Sequence, residues 1–563
     1  MKKICLLFSF LSAITLLQAQ IPTDYFSNPL SIGTILSGNF GELRNNHFHS
    51  GLDIKTEQRQ GLPIYASADG YVSRINVSHF GYGKALYIMH PNGYTTVYGH
   101  LQKYAGDIQK FVKEQQYSKE SYEFEIFPDA SVLPVKKGDL IAFSGNTGGS
   151  GGPHLHFEIR DGNQRPMNPM LFGFDIADNI PPVVSALYAY VLDDNSHINQ
   201  SQQRTKVRLV KHKDGNYIAE NIQALGRIGF GITAIDQLDG ASNHNGVYQI
   251  DTKLNNVSSF KVRFDKFSFD ETRYLNRYID YEFFQNNKTR VQKLFREENN
   301  PLSIIVDETD EGYLTIKDSL DYSYVIEVKD FKGNTTSIIV PITGRKLEIL
   351  SPRKIQETED LVLADHATSI SKGKHIIYFP PNALYEDTYL EIKEKGDTIK
   401  IHKDIVPIHK NITLTTDISN YAENDRANLY IGQIGHRGNP RYIRTTRKGD
   451  KLVGSIRNFG EFTVARDNTP PVVQPLNFSD GKWISSQQEL RLRITDAHSG
   501  ISSYRATING KFILMEYEYK NNTLTYDFTD NIIQDAENNL KLVVIDNVGN
   551  STTFEAKFFR KPN

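Results

Sequence analysis

The sequence holds almost no cysteine: Cys5 is the single one in 563 residues. Disulfides therefore do not hold the fold together, and thiol catalysis is excluded once the first residues are removed. Tryptophan (1) and methionine (5) are nearly as scarce. No charge excess exists either, since 64 Lys and Arg face 66 Asp and Glu for a net charge of -2. That balance argues against nucleic-acid binding through an overall basic field. Beyond the first residues, no apolar run approaches a transmembrane length. What is abundant points to strands and tight turns: 30 Tyr, 31 Phe and 40 Gly. An apolar fraction of 39% is enough for packed cores and excludes wholesale disorder. The length suggests about four domains.

The N-terminus reads as a secretory signal. Lys2 and Lys3 form a charged start, residues 4–17 an apolar stretch, and Leu17-Gln18-Ala19 a cleavage site before Gln20. Cys5 lies inside this segment, too early for a lipid anchor at the cleavage point. The expectation is a soluble exported protein, periplasmic or extracellular, with residues 1–19 as signal peptide and no transmembrane segment after its removal.

Residues 20–175 form the first expected domain. Strands are predicted over 64–67, 71–77, 85–89, 94–98, 140–144 and 154–159, separated by Asp69-Gly70, Gly81-Tyr82-Gly83 and Pro91-Asn92-Gly93 turns. Residues 102–134 break the pattern and read as an insertion, either a lid or groove wall or an extra surface hairpin. Further on, Asp178-Asn179-Ile180-Pro181-Pro182-Val183-Val184 is nearly repeated as Asp467-Asn468-Thr469-Pro470-Pro471-Val472-Val473. Ile235-Asp236 with Asp239-Gly240 is echoed by Ile494-Thr495-Asp496 with Ser499-Gly500, and Asp330-x-x-Gly333-Asn334 by Asp546-x-x-Gly549-Asn550. Two related β-sandwich modules are inferred over 178–346 (enlarged) and 467–563. They resemble the immunoglobulin-like modules of exported bacterial proteins. Residues 347–466 read as a further β-rich domain of no assigned family. Asp330 and Asp546 leave a calcium-binding reading open, but carboxylates that bond their own turn backbone are favoured, because an isolated acidic turn lacks the ligand count that calcium needs.

Three histidine-bearing segments fall in the first domain: His49-Ser50-Gly51-Leu52-Asp53, Tyr98-Gly99-His100-Leu101 and Gly152-Pro153-His154-Leu155-His156-Phe157-Glu158. Strand alternation puts His154, His156 and Glu158 on one face and Leu155, Phe157 and Ile159 on the core face. His49, Asp53 and one histidine of the third segment make a two-His, one-Asp set. Three protein ligands with an open fourth position characterise catalytic rather than structural zinc. A His-x-His pair alone is weak, since His47-Phe48-His49 is a second one. The weight lies in three such segments within one Gly-rich β region. Gly145 to Gly152 form a loop before the third segment. No Lys-Ser/Thr or helix follows, so this is a flexible groove border rather than a phosphate cradle.

These segments resemble the lysostaphin-type (LytM-like) zinc metalloendopeptidases, which cut peptidoglycan. The likeness also covers Gly61-Leu62-Pro63-Ile64-Tyr65-Ala66, Asn92-Gly93-Tyr94-Thr95-Thr96-Val97, Val135-Lys136-Lys137-Gly138-Asp139 and Gly145-Asn146-Thr147-Gly148. The resemblance implies a mainly β fold: an N-terminal antiparallel β catalytic domain followed by β-sandwich modules. It implies His49, Asp53 and His156 as Zn2+ ligands, His154 as general base and His100 as the second catalytic histidine, orienting or stabilising the reacting centre. The implied activity is zinc-dependent hydrolysis of peptide bonds in peptidoglycan stem peptides or cross-links. Two alternatives stay open: a non-catalytic LytM-like regulator of cell-wall hydrolases, and a metallopeptidase for a Gly-rich extracellular protein. The β modules are expected to serve an envelope protein partner or to act as spacers. His47 is expected at the surface or behind the ligands, and His79 and His90 at the surface.

Overall fold

The computed structural model describes residues 21–354 and 356–561. The expected signal peptide, residues 1–19, lies outside the described residues. Strands account for 45% of the chain and helices for 8%, so the fold is mainly β.

The N-terminal region is built on a nine-stranded antiparallel sheet. Its main path runs Leu36–Gly38, Leu52–Lys55, His154–Arg160, Thr95–Gly99, Lys84–Met89, Gly70–Val77 and Phe124–Ile126. The His154–Arg160 strand is central, with Asp53 paired to His156 on one side and Gly99 on the other. Leu155, Phe157 and Ile159 point into the core and are fully buried, as the alternation predicts. The opposite face is not solvated: His156, Glu158 and Arg160 are buried as well. Gly51 explains how the first histidine segment comes so close. A Cβ there would fall 2.3 Å from the Phe157 carbonyl oxygen.

Residues 102–134 hold an α-helix, Gly106–Lys119. Its buried residues Ile108, Val112 and Gln116 recur every four positions, one helical face. Glu120 ends it in the left-handed region at φ 46°. The insertion carries this helix and so is not simply a surface hairpin. It packs against the C-terminal region: Lys113 and Tyr117 both reach Asp530, at 3.0 and 2.6 Å, and Tyr117 meets Phe512 edge-on. His79 belongs to the same contact, stacked on Tyr122 at 4.9 Å with Tyr504 and Tyr517 beside it. His90 is also not a surface residue. It is 3% exposed, with Nδ1 against the Asp69 carbonyl and Nε2 against Thr96 Oγ1, both at 2.8 Å. His47 is exposed and pairs with its own neighbour, the Asn45 carbonyl.

Downstream, strands between Val183 and Gly344 join one thirteen-stranded sheet. Its core is continuous with that of the N-terminal region, where Phe40 stacks on Phe267 at 5.0 Å and Phe48 packs on Phe264. Two five-stranded sheets, together spanning Thr368 to Arg466, enclose a second core. A four- and a five-stranded sheet between Val472 and Phe559 enclose a third. The two Asp-Asn-x-Pro-Pro connectors are fastened alike. Asn334 Nδ2 donates to Asp178 O and Asp330 Oδ2, and Asn550 Nδ2 donates to Asp467 O and Asp546 Oδ2, all at 2.7–3.1 Å.

Asp530 is the buried anchor of the contact between helix and C-terminal sheets, its side chain 5% exposed. Asp530→Ala strips both Lys113 and Tyr117 of their acceptor, a loss of about 1–3 kcal/mol. The expected outcome is faster amide exchange over the Gly106–Lys119 helix with the Leu52–Lys55 and His154–Arg160 strands unaffected. Unchanged exchange in the helix would refute this anchoring.

Candidate active site

The sheet brings His49, Asp53 and His156 together although 103 residues separate the last two. His49 Nε2 lies 2.9 Å from Asp53 Oδ1 and 3.1 Å from His156 Nδ1, and His156 Nδ1 lies 2.9 Å from the same carboxylate oxygen. All three residues are buried.

The outer nitrogens decide what the inner ones can do. His49 Nδ1 faces the Asn39 carbonyl at 2.7 Å, and a carbonyl only accepts, so Nδ1 carries the proton. His156 Nε2 likewise donates to Glu158 Oε1 at 2.8 Å. In the neutral rings, His49 Nε2 and His156 Nδ1 are therefore bare lone pairs, and both converge on a carboxylate oxygen. Three acceptors at this distance repel one another unless a cation sits among them. Three donors about 2.0–2.1 Å from one ion in a tetrahedral site stand about 3.3 Å apart, so a few tenths of an ångström of opening admit zinc. The residues fit the metal.

The surroundings keep both carboxylates of the set charged. Arg44 Nη2 donates to Asp53 Oδ2 at 2.9 Å. In the metal-free protein burial alone would raise Asp53, but the neighbouring His49, His154 and His156 rings keep it well below the carboxylate range. Burial also opposes ionisation of Glu158. Arg160, bound at 2.6 Å, and His156 outweigh it and hold Glu158 far below its usual value. Ser50 and Tyr82 add two more donors to Glu158 Oε1, and Tyr82 stacks on the His156 ring at 4.9 Å. Such partners behind a ligand fix its orientation and raise its basicity. Burial disfavours a charged His156, yet hydrogen bonds with Asp53 and Glu158 raise it to about 9 in the metal-free protein.

His100 and His154 stand beside this triangle, their rings 4.8 Å apart. His100 follows Gly99 in the left-handed region, φ 59°, a conformation uncommon for a non-glycine residue and suggestive of a functional constraint. Its Nδ1 donates to the Thr147 carbonyl at 2.8 Å. Burial, then repulsion from His156 and His154, lowers it to about 3, so it is neutral. His154 Nδ1 donates to the Gly152 carbonyl at 2.8 Å, and its Nε2 lies 3.4 Å from Asp53 Oδ1. Both rings thus turn a bare Nε2 inward.

The Gly145–Gly152 loop supplies both carbonyls, and it is fastened from outside. Lys520 of the C-terminal region donates to the carbonyls of Asn146, Gly148 and Ser150, and Tyr519 to that of Gly148. The structure brings the five expected residues together and surrounds them with Asn39, Arg44, Ser50, Tyr82 and Thr147, for which the sequence offered no role. Only Glu158 carried a signal, its place on the His154–His156 face.

Glu158→Gln removes the charge behind His156, and metal affinity is expected to fall about 10–100-fold in a competition titration against a chromophoric chelator. Affinity equal to the parent protein would refute that role. Because His156 holds a proton in the metal-free protein up to about pH 9, binding at neutral pH must expel it. Affinity therefore weakens as pH falls. Calorimetry in two buffers of different ionisation enthalpy should report about one proton released per ion, and none would contradict the assignment.

Comparison with known families matches residues 47–117 and 132–169 to peptidase family M23, and residues 359–467 to the Zu5-like domain. The stretch skipped in the first match falls inside the insertion. Over 122 residues the chain is 38% identical to an uncharacterized metalloprotease of Haemophilus influenzae, covering 22% of this chain and 20% of that one. It is 35% identical over 122 residues to the DD-carboxypeptidase/endopeptidase Mpg of Neisseria meningitidis, covering 22% of each. It is 31% identical over 156 residues to the peptidoglycan DD-endopeptidase ShyB of Vibrio cholerae, covering 28% of this chain and 30% of that one. The chain thus spans a fifth to under a third of the length of these relatives. The N-terminal region, which carries the histidine triangle, is a peptidase family M23 domain.

Proposed function

We propose that the chain is an exported zinc-dependent endopeptidase that hydrolyses peptide bonds in peptidoglycan stem peptides or cross-links. The observation that carries this reading is the complete set: His49, Asp53 and His156 around one point, with the lone pairs of His100 and His154 turned toward it. A purely regulatory member of such a family has no need of five intact groups, each buttressed from behind. The names of the Neisseria and Vibrio relatives support peptidoglycan as the substrate class. Among the described residues, no helix is long and apolar enough to cross a membrane. Export rests on the N-terminal sequence.

Zinc bound by His49, Asp53 and His156 supplies a Lewis acid that acidifies a water to a pKa of about 7 and polarises a carbonyl. The protein's own groups handle the protons. His154, its Nδ1 committed to the Gly152 carbonyl, takes the proton of the attacking water on Nε2. Once charged, that ring has the Gly152 carbonyl at one end and Asp53 at the other. It then returns the proton to the leaving amine as the C–N bond breaks. His100 is neutral with its proton tied to Thr147, so at rest it accepts a hydrogen bond from the water and orients it. Stabilising an oxyanion through His100 requires a proton delivered to its Nε2 during the reaction. The Gly-rich loop, anchored by Lys520, keeps the carbonyls that set both tautomers in place.

His154→Ala should keep about one zinc per chain by elemental analysis and lose hydrolysis by about 100-fold or more. His49→Ala and Asp53→Ala should lose the metal itself. Mass spectrometry of muropeptides released from purified sacculi, with and without chelator, reads the activity. Wild-type cleavage by the His154→Ala protein would overturn the base assignment, and chelator-resistant cleavage would overturn the metal mechanism.

A further inference from the structure

A second cluster of buried ionisable groups lies away from the histidines, where the N-terminal region meets the first downstream sheet. Asp178 comes from the connector, Asp236 from just past the Ile222–Ile235 strand, and Asp330 from the turn between Asp321–Lys329 and Thr335–Gly344. One carboxylate oxygen of each lies within 4.8 Å of the other two. The three residues are 6%, 3% and 1% exposed.

Asp330 has both oxygens occupied by Asn334, and Asp178 Oδ1 accepts the Ile180 amide. Asp178 Oδ2 and Asp236 Oδ1 are buried with no hydrogen-bond partner at all. Among the described residues, none of the three carboxylates forms an ion pair with lysine or arginine. The nearby Lys332 pairs with Asp175 instead. Buried carboxylates gathered without a countercharge are unfavourable, and native proteins rarely leave such oxygens bare. Asn243, in the loop that pairs with Asp236, also leaves its amide oxygen buried and unpartnered. Donors that are all oxygen select a hard cation, and loop-borne carboxylates suit the variable geometry of calcium.

We propose that Asp178, Asp236 and Asp330 bind one Ca2+ ion that braces this junction. The site lies on a short chain of hydrogen bonds to the metal triangle. The Asp236 backbone pairs with Asn245, Gly246 exchanges two bonds with the Asn39 side chain, and the Asn39 carbonyl holds His49. The related cluster of Asp467, Asp496 and Asp546 differs. Backbone amides take both Asp467 oxygens, and Asp546 is likewise saturated by its own turn. Only Asp496 Oδ2 is left bare there, on a partly exposed residue, and that cluster carries no proposal.

The test is equilibrium dialysis of the full chain against radioactive Ca2+, comparing the parent protein with Asp236→Asn and Asp178→Asn. Each variant is expected to bind one Ca2+ per chain fewer than the parent. The thermal midpoint of the parent should rise with Ca2+ concentration, as for any ligand of the native state, by more than that of either variant. Asp178→Asn lies in a connector rather than beside a long central strand, so it reads the same ion if Asp236→Asn fails to fold. A parent protein that binds no Ca2+, or folded variants that bind as much as the parent, would overturn the proposal.

Discussion

Two imidazole lone pairs and a carboxylate oxygen stand about three ångströms apart in a buried pocket, and nothing else in the N-terminal region makes sense without that repulsion. Left alone, the arrangement takes up a proton, which is why His156 titrates so high. With a divalent ion among them, the same three atoms are placed to hold it. The fold supplies the energy to hold them together. Asp53 and His156 sit opposite each other in a hydrogen-bonded ladder, and the fully buried Leu155, Phe157 and Ile159 behind them fix the strand that carries His154 and His156.

Orientation comes from groups that do no chemistry. Four rings surround the site, and each has its outer nitrogen committed to a backbone carbonyl or to Glu158. That commitment fixes where the proton resides, and so where the reactive lone pair points. Glu158 can serve because it is itself locked by Arg160, Ser50 and Tyr82 in a site without solvent. A neutral side chain there would leave His156 free to turn, and an unpaired Glu158 would be too costly to bury.

The downstream sheets are more than a tether. The first shares its apolar core with the N-terminal region. The last lies against the inserted helix and, through Lys520, grips the loop whose carbonyls position His100 and His154. A loop of five glycines bordering a groove has little stiffness of its own. The C-terminal hairpin supplies the missing constraint, so the architecture links the working loop to residues almost 400 positions away in the chain.

The mainly β class was legible in the sequence by itself, as were several strands of the first domain and the three histidine-bearing segments that the sheet brings together. Those features rest on local rules: alternation along a strand, turn residues, and ligand types that recur in fixed motifs. The His154–Arg160 strand was legible nearly to the residue. It could not place the helix in residues 102–134, whose apolar spacing is diluted by charge. Nor could it find Asn39, Arg44, Tyr82 or Thr147, ordinary residues whose value lies in where their neighbours fall. His79 and His90 read as surface groups because nothing local announces burial, and the acidic turns read as isolated because their companions lie far along the chain. Burial, partner choice and the convergence of distant charges are properties of the packed chain, set by contacts between segments, and only the tertiary structure decides them.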